Sequence, residues 1–234
     1  MVLLKKIGII GGLSVESTFE YYKFIARRYN KIVGGSASPN LVIDSLDLQK
    51  VTDWFANDEW DKVLEELVLS ANNLIAAKAE VIILATNTPH IVFNELEKKV
   101  SKPMISIMDA VAKEIKKQDL KKIGLIGTKF TMQGDYYPKA FEKYGLEIIT
   151  PSPEDQEVIH KIIYKELTFH VLNEASREKY LEIIYRLNEM GAEGVILGCT
   201  EIPLLIKQED CKIPVFDTTT IHALSVLEYA MNEK

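Results

Sequence analysis

Short apolar runs alternate with longer amphipathic segments along this chain. The first run, Ile7–Gly12, predicts a buried strand that ends on glycines, and Ser14 stands where it can cap a helix from Val15 to Val33. The runs Leu41–Ser45 and Val81–Ala85 predict two further strands. Strands that alternate with helices in this way predict a parallel sheet with helical crossovers.

The remaining elements of the first half are predicted from local signals. Asp58 is expected to cap a long amphipathic helix that runs through Lys78. The run Pro103–Met108 predicts a fourth strand, and Asp109 is expected to cap a helix that ends near Lys117. The first half therefore reads as four strands alternating with helices.

The same pattern begins again in the second half. Three segments of the first half recur in the same order and at nearly the same spacing, which indicates an internal duplication. The matching pairs are Lys121–Thr128 with Lys5–Gly12, Ala192–Pro203 with Ala79–Pro89, and Ile213–Asp217 with Lys102–Ser106. The other elements predicted here are a strand at Leu146–Thr150, helices at about 154–168 and 174–190, and a last helix from Thr218 to about Met231.

The duplication determines the predicted fold class. We expect an α/β protein made of two pseudo-symmetric, doubly wound parallel-sheet halves, with the active site in the cleft between them, because open parallel sheets bind ligands at the carboxyl ends of their strands. The first half is expected to span residues 1–115, with a C-terminal helix at 218–234 packing back on it. The second half is expected to span residues 116–217.

Two equivalent strand ends carry the candidate reactive groups. Cys199 follows the apolar run Gly194–Leu197 and one glycine, and Thr86 occupies the same place in the first half. One proton-transfer group on each face of a small molecule is what inversion of a carbon acid requires, because one group removes the proton and the other returns it. A cysteine thiol titrates at about 8.5, and we expect the pKa of Cys199 to fall further at a helix N-terminus. A buried cysteine acting as a small hydrophobic residue is the alternative.

Polar side chains surround both strand ends. Hydroxyl and amide groups at strand ends or helix starts can hold an anion, so a carboxylate substrate is expected, although any one of these residues could be a plain helix cap. These residues are Ser14, Asn87, Thr88, Thr128, Thr200 and Thr218. Glu201 either tunes the thiol, holds a substrate ammonium group or is an N-terminal helix charge. His90 and His222 could assist catalysis, but structural helix histidines are the simpler interpretation.

Composition narrows the class of protein. A chain of 234 residues that is 47% hydrophobic reads as globular, and a net charge of −6 with a pI near 5.4 argues against nucleic-acid or anionic-membrane partners. The start at Met1–Lys6 does not read as a signal peptide, and no apolar run approaches the roughly 20 residues of a membrane span. Cys199 and Cys211 suit neither a disulfide framework nor a zinc site. We expect a reduced, cytoplasmic protein without metal.

Taken together, five segments resemble the aspartate/glutamate racemase family, most of all its bacterial L-aspartate/glutamate-specific members. The segments are Gly11–Thr18, Thr86–His90, Gly127–Thr128, Gly198–Glu201 and Pro214–Ala223. The resemblance covers essentially the whole chain. It implies racemisation of acidic amino acids by a two-base mechanism, with neither pyridoxal phosphate nor metal, usually in a homodimer.

The resemblance also assigns roles to individual residues. Cys199 resembles the second family thiol, and Thr86 stands where the family usually has the first. It places Asn87, Thr88, Thr128 and Thr200 around the α-carboxylate and ammonium groups of a substrate, with the Leu13–Ser14 turn over the same pocket. Lys165 and Arg177 are the candidates to hold the side-chain carboxylate. Because threonine is a far weaker acid than cysteine, we expect efficient α-proton exchange at Cys199 and slow inversion through Thr86.

Two alternatives stay open at this stage. One is a one-thiol decarboxylase or a cis-trans isomerase of small dicarboxylates on the same scaffold. The other is a binding protein for acidic amino acids whose catalysis has decayed with the first thiol.

Overall fold

The computed structural model describes residues 4–231. Two expectations concern residues outside that range. They are the absence of a signal peptide at Met1–Leu3 and the last three residues of the helix predicted at 218–234. The described chain divides into two compact units. One comprises the residues up to Ile107 together with those from His222 onward, and the other comprises Met108–Ile221.

The first unit contains a four-stranded parallel sheet. Its strand order is β2-β1-β3-β4, so β1 and β3 are central neighbours, with Ile10 opposite Leu84. The strands are β1 (Ile7–Gly11), β2 (Leu41–Ser45), β3 (Val81–Leu84) and β4 (Met104–Ile105). Its helices are α1 (Val15–Val33), α2 (Leu48–Ala56), α3 (Trp60–Ala76) and α4 (Phe93–Lys99), preceded by a 3-10 turn at Thr88–Val92.

The second unit has a sheet of the same kind. Its order is β6-β5-β7-β8, again all parallel, and Gly127 of β5 lies opposite Gly198 of β7. The strands are β5 (Lys122–Gly127), β6 (Glu147–Ile149), β7 (Gly194–Gly198) and β8 (Val215–Asp217). The helices are α5 (Ile107–Lys116), α6 (Lys129–Gln133), α7 (Tyr136–Glu142), α8 (Pro153–Lys165), α9 (Glu174–Glu189), α10 (Ile202–Leu205) and α11 (Thr218–Met231), of which α11 continues into the first unit.

The predicted fold class is confirmed, because both units are α/β with flanked parallel sheets in equivalent strand order. The central strands β1, β3 and β7 are buried along their whole length, as expected for parallel strands covered by helices on both faces. In the first unit, Ile7 and Ile9 pack in one cluster with Tyr21 of α1 and Val226 of α11. Burying such apolar side chains contributes about 1.5–3 kcal/mol each.

The prediction that a helix begins at Asp58 is wrong, because the helix begins at Trp60. Asp58 adopts a left-handed conformation with φ 57°, and its carboxylate accepts a hydrogen bond from Trp60 Nε1 at 2.5 Å. Helix α3 begins after Glu59, whose side chain makes no capping bond. The preceding helix α2 was not predicted; Asp47 caps it by accepting from the Gln49 N–H at 2.9 Å.

The fourth strand is also shorter than predicted. It covers only Met104–Ile105, and helix α5 already begins at Ile107, so Asp109 lies inside the first turn instead of capping it. The physical reason is a contact with His90, 17 positions earlier in the chain. The N–H of Ile107 donates to Nε2 of His90 at 3.3 Å and is therefore not available to extend the strand. Within residues 4–231, no helix has the length and apolar character needed to cross a membrane.

Candidate active site

Close packing of two central strands forms the polar end of the second unit. A Cβ at Gly198 would lie 2.9 Å from Leu125 Cδ1 and 3.0 Å from the Ile126 carbonyl oxygen, so β7 can approach β5 only with glycine there. Thr128 follows β5 and Cys199 follows β7. The structure therefore brings these two predicted site residues together at one sheet edge.

Cys199, Thr200 and Glu201 form a compact hydrogen-bonded group. The thiol of Cys199 and the hydroxyl of Thr200 each donate to Oε2 of Glu201, both at 2.9 Å. All three residues are buried. Glu201 precedes α10 without capping it, so its carboxylate serves the thiol and not the helix. The contact places the carboxylate of Glu201 directly beside the thiol of Cys199.

The expectation of a lowered pKa at Cys199 is wrong. Burial, then the negative charge of Glu201 and the hydrogen bond to it, raise the pKa of the Cys199 thiol well above its usual range. The main-chain N–H groups of Glu201 and Thr200 act in the opposite direction but are outweighed. The expectation depended on the dipole of helix α10. This helix has only four residues, so its dipole is weak and stabilises a thiolate at its N-terminus only slightly. The resting cysteine is consequently a thiol.

Three tyrosines close to Cys199 were missed by the sequence reasoning. Burial, followed by the charges of Cys199 and Glu201, raises the pKa of Tyr164 to about 12 and that of Tyr180 well above its usual range. Burial also raises the pKa of Tyr136, with Cys199 as a smaller contributor. Each tyrosine belongs to a different helix, so no spacing in the sequence connects them with the thiol.

Tyr136 also begins a chain of hydroxyl groups that ends at a predicted substrate-binding residue. Its phenol donates to Thr131 Oγ1 at 3.1 Å, and that oxygen lies 3.1 Å from Thr128 Oγ1. Thr128 additionally caps α6 by accepting from the Thr131 N–H at 3.3 Å. Thr128 is therefore a helix cap whose hydroxyl also contacts the hydroxyl of Thr131.

The first unit presents its own polar strand ends. Gly12 has φ 81°, and a Cβ there would lie 2.1 Å from the Leu46 carbonyl oxygen, so the turn after β1 requires glycine. This turn leads into Leu13, which is buried, and Ser14, whose hydroxyl caps α1 by accepting from the Ser17 N–H at 3.3 Å.

Thr86, Asn87 and Thr88 follow β3, the neighbour of β1 in the same sheet. All three are buried, with Thr86 9% exposed. The N–H of Thr86 donates to the Leu84 carbonyl at 2.9 Å, which turns the chain sharply after the strand. The hydroxyl of Ser17 donates to the Ala85 carbonyl at 2.6 Å and ties α1 to this turn. Leu13 and Ser14 therefore share one sheet edge with Thr86–Thr88.

The two buried histidines of the first unit have different surroundings. His222 has partners on both ring nitrogens: Tyr21 OH lies 2.7 Å from Nδ1, and the Ile105 carbonyl lies 2.8 Å from Nε2. This is the structural role expected for His222. His90 accepts from Ile107, but its Nδ1 has no hydrogen-bonding partner within the described residues.

The two basic candidates for the substrate side chain also differ. Arg177 is engaged by Glu174 at 2.8 Å and by Asp210. Lys165 is the exposed last residue of α8, directly after Tyr164. Among residues 4–231, no group of three or more His, Cys, Asp and Glu side chains is arranged to hold a metal ion.

Parallel sheets with polar side chains at their carboxyl edges, one of them a thiol bonded to a carboxylate, are the architecture of an α/β enzyme. The Asp/Glu/hydantoin racemase family model matches residues 10–226. The chain therefore belongs to the Asp/Glu/hydantoin racemase family, and the resemblance seen in the sequence is confirmed. Its named homologues are racemases, which are isomerases.

Individual relatives agree with this assignment. The broad-specificity amino-acid racemase RacX of Bacillus subtilis is 24% identical over 233 residues, which cover 94% of this chain and 96% of that protein. The crystal structure of a candidate Asp/Glu racemase from Yersinia pestis is 40% identical with a TM-score of 0.91, covering 98% of this chain and 100% of that one. An aspartate racemase homologue from Pyrococcus horikoshii is 42% identical with a TM-score of 0.86, at the same coverage.

Proposed function

We propose that this chain racemises acidic amino acids, aspartate or glutamate, by removing and returning the Cα proton, with Cys199 on one face of Cα and Thr86 on the other. The observation that carries the proposal is the hydrogen bond from the Cys199 thiol to Glu201 Oε2 at 2.9 Å. A thiol bonded to a carboxylate can lose its proton to that carboxylate without leaving two negative charges side by side.

The proposed half-reaction on the cysteine side begins with this proton. Glu201 accepts the thiol proton, and the thiolate then removes the Cα proton of the enantiomer that faces it. The electron pair of the broken C–H bond stays on the substrate as a carbanion. Transfer to the thiolate restores the thiol. Return of that same proton to Cα regenerates the original enantiomer unchanged. When the thiol proton first exchanges with solvent, the return places a solvent proton on Cα of the same enantiomer.

Inversion requires a proton from the opposite face. In the proposal the Thr86 hydroxyl supplies it and is reprotonated by solvent, while Glu201 returns its proton to solvent. Thr86 supports this role because it follows β3 as Cys199 follows β7, in sheets of equivalent strand order. A hydroxyl is a far weaker acid than a thiol, so return through Thr86 is the slow step in both directions.

The substrate contacts in the proposal use the hydroxyl and amide groups at the same strand ends. Thr128 and Thr200 serve from the second unit, and Asn87 and Thr88 from the first, with Leu13 and Ser14 in the neighbouring turn. Hydroxyl and amide donors suit the α-carboxylate, because hydrogen bonds to a charged acceptor are stronger than those between neutral groups.

The test is proton exchange in heavy water. Each enantiomer of aspartate and of glutamate is incubated with the enzyme, α-deuterium incorporation is followed by NMR, and inversion is followed by chiral chromatography. We expect rapid incorporation without inversion from one enantiomer, followed by slower inversion, and loss of both in Cys199→Ala. Absence of α-deuterium incorporation from all four substrates would sink the proposal; if the same substrates still bound, a binding protein would be indicated.

A further inference from the structure

His90 is a fully buried imidazole with a defined protonation state. The N–H of Ile107 lies 3.3 Å from Nε2, and because an N–H can only donate, Nε2 must accept. Burial, with a contribution from the neighbouring His222, lowers the pKa of His90 to about 3, so the ring is neutral at ordinary pH. A neutral ring that accepts at Nε2 carries its single proton on Nδ1.

The ring of His90 lies beside the turn that carries Thr86. Nδ1 is buried and has no hydrogen-bonding partner within residues 4–231, yet the main-chain carbonyls of Thr86 and Asn87 lie close enough to favour a proton on the ring. A main-chain hydrogen bond also connects His90 to this turn, because the N–H of His90 donates to the Asn87 carbonyl at 2.9 Å. A buried donor without a partner is costly, and such groups call for a reason.

The ring cannot rotate freely to find another partner. It stacks on Phe93 with the centroids 5.0 Å apart and the planes within 9°. On another side lies His222, at a centroid distance of 6.0 Å, whose own nitrogens are taken by Tyr21 and Ile105. A carbonyl oxygen can only accept, so Nε2 of His222 must donate to the Ile105 carbonyl. The His222 ring therefore carries its proton on Nε2, whereas the His90 ring carries its proton on Nδ1.

We propose that His90 is a positioning residue for Thr86: on substrate binding, its Nδ1–H closes a hydrogen bond to a main-chain carbonyl of the Thr86–Asn87 turn and fixes the Thr86 hydroxyl against Cα. Hydrogen bonds that support catalysis are often long in the free enzyme and shorten in the substrate complex. The inference rests on the proposed function, since it concerns the proton returned by Thr86. It predicts that loss of the Nδ1–H impairs inversion but not exchange at Cys199.

Two amide substitutions at position 90 distinguish the role of Nδ1 from that of Nε2. In His90→Asn the amide nitrogen stands as many bonds from Cα as Nδ1 does, so the donor to the turn is kept. In His90→Gln the amide oxygen stands as many bonds from Cα as Nε2, so the acceptor for Ile107 is kept and the donor to the turn is lost. Both variants remove the ring and its stacking on Phe93, so they are matched for the loss of packing.

The readout is the ratio of inversion to α-deuterium exchange, measured in one sample so that any unfolded fraction cancels. We expect His90→Gln to lower this ratio by about tenfold, which corresponds to the loss of one hydrogen bond, and His90→Asn to stay within about threefold of the unsubstituted enzyme. Equal ratios in the two variants, whether unchanged or equally lowered, would overturn the inference. An unsubstituted enzyme with neither exchange nor inversion would instead overturn the proposed function, and the inference with it.

The tautomers of the histidines can also be measured in the unsubstituted protein, so this test does not depend on the folding of a variant. The chain has four histidines, so long-range nitrogen–proton NMR spectra of the imidazoles can be assigned ring by ring. We expect His90 in the Nδ1–H form and His222 in the Nε2–H form at pH 7. A protonated His90, or one in the Nε2–H form, would contradict the inference whatever the kinetics show.

Discussion

The thiol of Cys199 lies 2.9 Å from Oε2 of Glu201, and both side chains are buried. Through this hydrogen bond, the Cys199 thiol and the Glu201 carboxylate share the thiol proton. Because the charge of Glu201 disfavours the thiolate, the same residue that can accept the proton also keeps the resting cysteine protonated. The arrangement suits an acid–base thiol that must serve as proton donor and proton acceptor in alternate turnovers.

Replacing Glu201 by Gln should lower the pKa of Cys199, because the negative charge and the accepted hydrogen bond both raise it. The pH dependence of iodoacetamide alkylation, measured in a Cys211→Ser background, should move to lower pH. Racemisation should nevertheless fall by about 100-fold, since the acceptor of the thiol proton is gone. Glu209→Gln, which removes an exposed charge, is the control. An alkylation profile that stays in place or moves to higher pH would contradict the assignment of Glu201.

Substitutions at Thr86 should separate exchange from inversion. Thr86→Val keeps the shape and removes the hydroxyl, so inversion should be lost while α-deuterium exchange at Cys199 continues. Thr86→Cys supplies a stronger acid, so inversion should rise by about tenfold. Both rates come from the heavy-water assay. Unchanged inversion in the valine variant would show that the second proton comes from elsewhere; no gain in the cysteine variant would favour a one-thiol reaction.

The sequence predicts those elements whose ends carry a local signal. Helix α1 begins and ends where predicted because Ser14 caps it and Gly34, at φ 85°, ends it. Strand β2 and helix α11 likewise match their predicted bounds. Strand β4 does not, because the partner of the Ile107 N–H is His90, 17 positions earlier in the chain. A strand end that depends on such a contact leaves no local trace.

The candidate site divides in the same way. Cys199, Thr200 and Glu201 are consecutive, so their grouping is visible in the sequence. The pKa of Cys199 is not, because it depends on burial and on the direction of the Glu201 side chain. The tyrosines near the thiol come from α7, α8 and α9, and only the folded unit assembles them.

Tyr136 should act on substrate binding through Thr131 and Thr128. In Tyr136→Phe the first bond of this chain, at 3.1 Å, is lost, so Thr128 is less firmly held and the KM for the amino acid should rise by about threefold to tenfold, with a smaller effect on kcat. Tyr180→Phe is the matched control, because the Tyr180 phenol donates to the Ile159 carbonyl at 3.5 Å and not to a site hydroxyl. Equal KM changes in both variants would argue against the hydroxyl chain.

Lys165 should be the residue that binds the substrate's side-chain carboxylate. It follows Tyr164, which is close enough to Cys199 and Glu201 to sense their charges, whereas Arg177 is occupied by Glu174 and Asp210. Lys165→Met should raise the KM for aspartate and glutamate by about tenfold or more. Arg177→Met should instead lower stability and leave KM nearly unchanged. Steady-state kinetics with urea unfolding distinguish the two, and the reverse pattern would exchange the roles of these residues.

His222 should make the stability of the protein fall in mild acid. Burial lowers its pKa to about 4 in the folded chain, whereas the unfolded chain takes up a proton near 6.5. The folded state is therefore penalised as the pH falls from about 6.5 towards 4, by about 2 kcal/mol at pH 5. His222→Gln keeps a donor for the Ile105 carbonyl but cannot titrate, so its free energy of unfolding should fall less between pH 7.5 and pH 5 than that of the unsubstituted protein. Urea unfolding at both pH values gives the difference, in which the carboxylates common to both proteins cancel; identical pH dependence would mean that His222 is not held neutral.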